Sequence, residues 1–127
     1  MSVDALREAI EAQDRQRYAA LLAEDVRFFS PIEAEPSVGR EAASMVLSTV
    51  FEEVFEDFHY VNQLDGEDLY LLVFRARVGD IPLEGVDLLK LNSEGLVREF
   101  TVMIRPLEAI HAIGQEMARR MGDLVRS

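Results

Sequence analysis

The chain has 127 residues, with 24 acidic against 13 basic side chains and a formal net charge of −11. That balance opposes roles in which phosphates must be neutralised, so neither nucleic acid nor an anionic membrane is expected as a partner. Cysteine is absent, which removes disulfides, thiolate metal sites and thiol catalysis.

The length fits a single domain over residues 1–127. The opening MSVDALREAIEAQD is charged throughout and no apolar run approaches a membrane span, so the expected location is the cytoplasm. Ser2 or Asp4 can cap a first helix carrying Ala5, Leu6, Ala9 and Ile10 on one side. Asp14 reads as a second cap, opening a helix over Arg15 to Ala23 with Tyr18, Leu21 and Leu22 inward. A short strand, Val26 to Phe29, ends at Ser30-Pro31, where proline forces the preceding residue to be extended. Pro31 to Val38 reads as an acidic loop.

Gly39 opens a third helix, Arg40 to about Phe55. Its stripe of Ala42, Ala43, Val46, Leu47, Val50, Phe51, Val54 and Phe55 follows helical spacing. Phe58 to Leu64 is a strand, and Asp65-Gly66 is a turn signal. Asp68 to Val78 is the next strand, with Tyr70, Leu72, Phe74, Ala76 and Val78 on one face. Gly79 to Pro82 turns the chain into a long hairpin. After Pro106 comes a last helix, Leu107 to about Leu124, with Ile110, Ile113, Gly114, Met117, Met121 and Leu124 along one side.

The hairpin, Leu83 to Pro106, is the most informative stretch. A four-residue loop, Asn92 to Gly95, pairs Leu91 with Leu96, Leu89 with Arg98, Asp87 with Phe100 and Gly85 with Val102. One face is then almost wholly apolar, and burying one face is what sets register. A three-residue loop shifts the pairing by one and mixes apolar and charged positions, so the four-residue loop is expected. Phe74 then lies opposite Asp87 on the neighbouring strand. The element order, helix, helix, strand, helix, four-strand meander, helix, reads as α+β with one sheet face covered by helices.

That order resembles the nuclear transport factor 2-like superfamily, whose relatives include ketosteroid isomerases, SnoaL-like polyketide cyclases and limonene epoxide hydrolases. The resemblance covers about residues 2–106. It rests on Leu21-Leu22-Ala23-Glu24-Asp25-Val26, Ser30-Pro31, Gly39-Arg40-Glu41, Val86-Asp87-Leu88-Leu89-Lys90-Leu91 and Glu94-Gly95-Leu96-Val97. It implies a cone: a strongly curved antiparallel sheet wrapped around the N-terminal helices, here with an added C-terminal helix. It also implies a pocket at the wide end and homodimers packed through the outer sheet face. Asp87 aligns with the aspartate that ketosteroid isomerases use, protonated, as an oxyanion donor. The isomerase's general base is Ser30 here, and two of its tyrosines are Leu6 and Leu47. The epoxide hydrolase's arginine is Gly85 and its second carboxylate is Val102. These losses argue against both family mechanisms.

Asp87 is the one candidate catalytic residue. A carboxyl among Phe74 and Phe100 is costly when ionised, so it either stays protonated as an acid, pairs diagonally with Arg98, or meets water at the pocket mouth. The expected pocket lining is Tyr18, Phe28, Ser30, Leu47, Phe74, Leu89, Phe100 and Val102. His59 and His111 lack ligand spacing, so neither a metal nor a cofactor is expected. The leading reading is a domain that binds a small apolar molecule and uses Asp87 as a lone acid/base in isomerase or cyclase chemistry. The rival is a non-catalytic homodimer whose cone is filled by Phe28, Phe74 and Phe100. Leu71, Val73, Val86, Leu88, Val97 and Met103 on the outer face make an interface surface in either case.

Overall fold

The computed structural model describes the backbone of residues 3–126 and the side chains of residues 3–121. Helices α1 (Asp4–Glu11) and α2 (Arg15–Ala20) precede strand β1 (Leu22–Phe29). Asp14 caps α2, accepting a hydrogen bond from the Arg17 amide at 3.2 Å. Val3 precedes α1 without a side-chain cap, and Ser2 lies outside the described residues. The second helix stops three residues before the expected Ala23. Leu22 pairs with Val97, and the Val97 N–H donates to the Leu21 carbonyl at 2.9 Å. Sheet pairing therefore claims residues whose local spacing favours helix.

Within the expected acidic loop, Ser37–Val38 forms a short strand, β2, against β1. Helix α3 (Arg40–Ser48) starts at Gly39, whose φ of 101° only glycine adopts readily. It continues as a π-helical segment, Thr49–Val54. The Ser48 and Thr49 hydroxyls both donate to the Met45 carbonyl, at 3.0 and 2.8 Å, where the winding widens. The wider turn changes which residues face inward. Thr49, Val50, Phe51 and Val54 are all buried, while Ala42 of the expected stripe is exposed and Ser44 and Ser48 are buried.

Strands β3 (Glu56–Asp65), β4 (Tyr70–Val78), β5 (Ile81–Leu91) and β6 (Val97–Arg105) form the meander, and α4 (Leu107–Arg126) follows. The sheet order is β2-β1-β6-β5-β4-β3; β1 runs parallel to β6 and the other pairs are antiparallel. The fold is thus α+β, one curved, mostly antiparallel sheet folded over the helices.

The central hairpin corrects the expected register. Its loop is Ser93-Glu94-Gly95: the Asn92 N–H donates to the Leu96 carbonyl at 2.8 Å and Leu91 pairs with Val97. Asn92 Oδ1 accepts the Glu94 and Leu96 amides at 2.9 and 3.0 Å, and Gly95 takes a φ of 82°. The three-residue loop does not mix the faces, because a bulge follows at once. Lys90 pairs with Glu99, so Arg98 is the extra residue. The bulge restores the parity that the loop disturbs. Leu89 then lies beside Phe100, Asp87 beside Val102 and Gly85 beside Ile104. Arg98 turns outward to Glu99 at 2.9 Å, and Val97, expected on the outer face, is buried.

On β4, Leu72 is the partner of Asp87, and Phe74 is the partner of Gly85. The Phe74 ring lies over that glycine, where a Cβ would sit 2.3 Å from its Cζ. Glycine is what lets this ring fill the middle of the sheet face. Phe51, Phe55 and Phe58 pack on Phe74, with centroids 5.2 to 5.9 Å away. Helix α4 closes the structure with Ala109, Ile113 and Met117 buried. The side chain of Leu124 lies outside the described residues.

Candidate functional site

Asp87 is at 0% exposure, on the inner sheet face. Its Oδ2 accepts a hydrogen bond from the Tyr60 hydroxyl at 2.7 Å, and its Oδ1 is buried with no hydrogen-bond partner among the described residues. Burial pushes its pKa up to about 8, against the Tyr60 hydrogen bond, which lowers it. The carboxyl is therefore neutral at pH 7. Arg98 plays no part, since it faces solvent. A protonated Asp87 with Oδ2 accepting from Tyr60 carries its proton on Oδ1, as a donor with nothing to donate to.

Tyr60 is the site residue that sequence reasoning passed over. It lies on β3, with β4 between it and the strand of Asp87. Its signal was its parity: it alternates with exposed His59 and shares the buried face with Phe58. The shift in pairing between Tyr60 and Asn62, an irregularity of β3, gave no mark in the sequence. Helix α1 fixes this tyrosine. The Tyr60 amide donates to Glu11 Oε2 at 3.2 Å, its carbonyl accepts from Arg7 Nη2 at 3.4 Å, and the Arg7 guanidinium stands 5.7 Å from its ring centroid. Desolvation, then the neighbouring Asp87, holds the phenol well above its ordinary pKa. Tyr60 thus stays a donor at all working pH values.

The other expected pocket residues divide. Phe28, Ser30 and Val102 line a small apolar cavity of about 20 Å³, together with residues of the π segment and of α4. Tyr18, Leu47, Phe74, Leu89 and Phe100 are buried core side chains that do not line it. Tyr18 donates to Glu52 Oε2 at 2.7 Å; burial first, then that carboxylate, raises its pKa. Ser30 Oγ accepts the Ile32 and Glu33 amides at 3.3 and 3.2 Å and so shapes the loop after β1. Phe28 stacks at a tilt on Phe100, 5.4 Å between centroids. Asp87 does not itself line the cavity, but its cross-strand partner Val102 does. The cavity holds roughly one or two water molecules.

His59 is exposed, its Nδ1 2.9 Å from the Asp57 carbonyl, and His111 is exposed on α4. No group of three or more His, Cys, Asp or Glu side chains gathers as a metal site among the described residues. No helix among them is long and apolar enough to cross a membrane.

The raised pKa makes stability depend on pH. A free aspartate loses its proton near pH ~3.9, whereas Asp87 in the fold keeps it to about 8. Between these values the native state binds more protons than the unfolded chain. The contribution of Asp87 is fully present below the lower value and is lost as pH rises through the upper one. Urea unfolding of the wild type and of Asp87→Asn should differ by a term falling by up to about 1.4 kcal/mol per pH unit across that window. Parallel pH profiles for the two proteins would contradict a neutral buried Asp87.

No family model matches the chain, and no curated protein does. Solved structures match over nearly all of it. An uncharacterised bacterial protein with a cystatin-like fold from Silicibacter pomeroyi is 33% identical, with a TM-score of 0.92 over 98% of this chain and 87% of that one. A steroid delta-isomerase from Pseudomonas aeruginosa is 36% identical, with a TM-score of 0.87 over 94% of this chain and 88% of that one. A ketosteroid isomerase-like protein from Kribbella flavida is 25% identical, with a TM-score of 0.66 over 80% and 73% of the two chains. With identity above 30% across almost its whole length to chains of this fold, the protein belongs to the nuclear transport factor 2-like superfamily.

Proposed function

We propose that this protein binds a neutral, apolar small molecule bearing a hydrogen-bond acceptor, and that the Asp87 carboxylic acid donates to that acceptor. One observation carries the reading: Asp87 Oδ1 is fully buried and has no hydrogen-bond partner among the described residues, while burial pushes the carboxyl pKa up to about 8. An unmet buried polar atom costs about 1–3 kcal/mol. A leucine at this position would avoid that cost, so the acid is retained for something other than packing. Protonated and held by Tyr60, it can donate to a carbonyl and stabilise negative charge developing on that oxygen, the acid's half of isomerase or cyclase chemistry. The similarity to a steroid delta-isomerase supports this class. Ser30 supplies no carboxylate to take a proton from carbon, so the role proposed for Asp87 is that of the acid.

A second reading has its own observation. Phe28, Phe74 and Phe100 are at 2, 0 and 0% exposure, and the apolar cavity beside Phe28 measures only about 20 Å³. A filled cone of this kind fits a non-catalytic assembly protein. Thermal unfolding in the presence of neutral apolar ketones, steroid enones included, separates the two. At a ligand concentration of 100 Kd the first reading expects about 2.7 kcal/mol of added stability. It also expects affinity about tenfold weaker in Asp87→Leu, which removes the donated hydrogen bond, whereas the amide of Asp87→Asn can still donate. No stabilisation by any such compound, or equal stabilisation of wild type and Asp87→Leu, favours the filled cone.

In both readings we propose a homodimer through the outer sheet face. Met103 is 54% exposed there, beside half-buried Val73 and Val86 and the Arg75–Glu84–Arg105 ion pairs. Sedimentation equilibrium should give a dimer for the wild type and a monomer for Met103→Glu with Val86→Lys. A monomeric wild type would refute it.

A further inference from the structure

The apolar cavity is too small by itself for an apolar ligand, yet it does not stand alone. Beside it, between the 30–37 segment and α4, runs a groove of about 250 Å³ lined by Ser30, Ile32, Glu33, Val46, Met117 and Met121 among others. Four side chains, Ser30, Ile32, Val46 and Met117, line both spaces, so the two adjoin there. Three of the four are held in ways that resist motion. Ser30 is fixed by its two amide bonds, and the branched Ile32 and Val46 have few rotamers. Met117 is unbranched, with three rotatable bonds, and is the side chain able to swing.

Resting on the function proposed above, we infer that the ligand enters through this groove, with Met117 as the gate. The ligand then lies along the path, acceptor end inward toward the strand of Asp87 and apolar body in the groove. The combined space, near the lower end of small-molecule pockets at ~300 Å³, suits an elongated molecule and not a bulky one. Charge narrows the class further. Glu33 stands on the groove and the chain carries −11, so an anionic amphiphile is repelled and a neutral one admitted. The α4 backbone leaves room for the passage, because Gly114 and Ala118 face the groove. A Cβ at Gly114 would come 3.8 Å from Ile32 Cγ2. That same closeness allows the passage to be locked.

The chain has no cysteine, so Ile32→Cys with Gly114→Cys introduces one defined disulfide across the groove. Prodan, a neutral elongated naphthyl ketone whose emission reports polarity, is the probe, followed by stopped flow. The expected result is binding to the wild type and to the reduced variant, with association at least tenfold slower after oxidation and restored by reductant. Equal rates in oxidised and reduced protein overturn the groove as the route. Met117→Ala gives an independent check: association at least severalfold faster than wild type is expected, and an unchanged rate overturns the gate. If the wild type binds no Prodan and no other neutral ketone, the proposed function itself falls, and the route with it.

Discussion

A carboxyl group with no solvent and one donor is the constraint around which this molecule is arranged. Asp87 must remain neutral to be tolerated where it lies, between Leu72 of β4 and Val102 of β6 in the sheet. Neutrality follows from desolvation, since Tyr60, the one hydrogen-bond donor to it among the described residues, favours the charged form. Tyr60 is held in turn by two side chains of α1 acting on its backbone and ring, Arg7 and Glu11. The N-terminal helix thus reaches the site through a tyrosine on the far edge strand, without touching the acid.

Architecture was largely legible because the apolar spacing is strong where packing is two-sided. The buried face of β4 and the helical stripe that begins at Arg40 are direct consequences of period. The central hairpin is more instructive. Judged by loop alone, three residues would have scrambled its faces, so a longer loop was expected. The chain instead combines the short loop with a bulge at Arg98, and Asp87 keeps the face it was assigned. Two irregularities that cancel leave the same pattern as none. The π winding at Thr49–Val54 was hidden for a related reason: its residues are apolar enough to satisfy either helical period over one turn.

The site itself was half legible. An aspartate amid an apolar alternation announces itself, because nothing in packing recommends it. Its partner did not, because a tyrosine on an inward face is ordinary core material until its hydroxyl is placed. Arg98, the charge nearest in the expected register, was the natural partner on paper; the bulge sends it to solvent. The filling of the cone depends on Phe74 resting over Gly85, where any Cβ would collide with the ring. Beside that packing lie a small apolar cavity and an adjoining groove, both lined in part by Met117.

Everything said of ligand and chemistry assumes that Asp87 holds its proton at neutral pH. Carbon-detected NMR of the Asp87 side-chain carboxyl, followed from acid to mildly alkaline pH, reads that proton directly. The account predicts a midpoint at about 8; a midpoint near the ~3.9 of a free aspartate would contradict it.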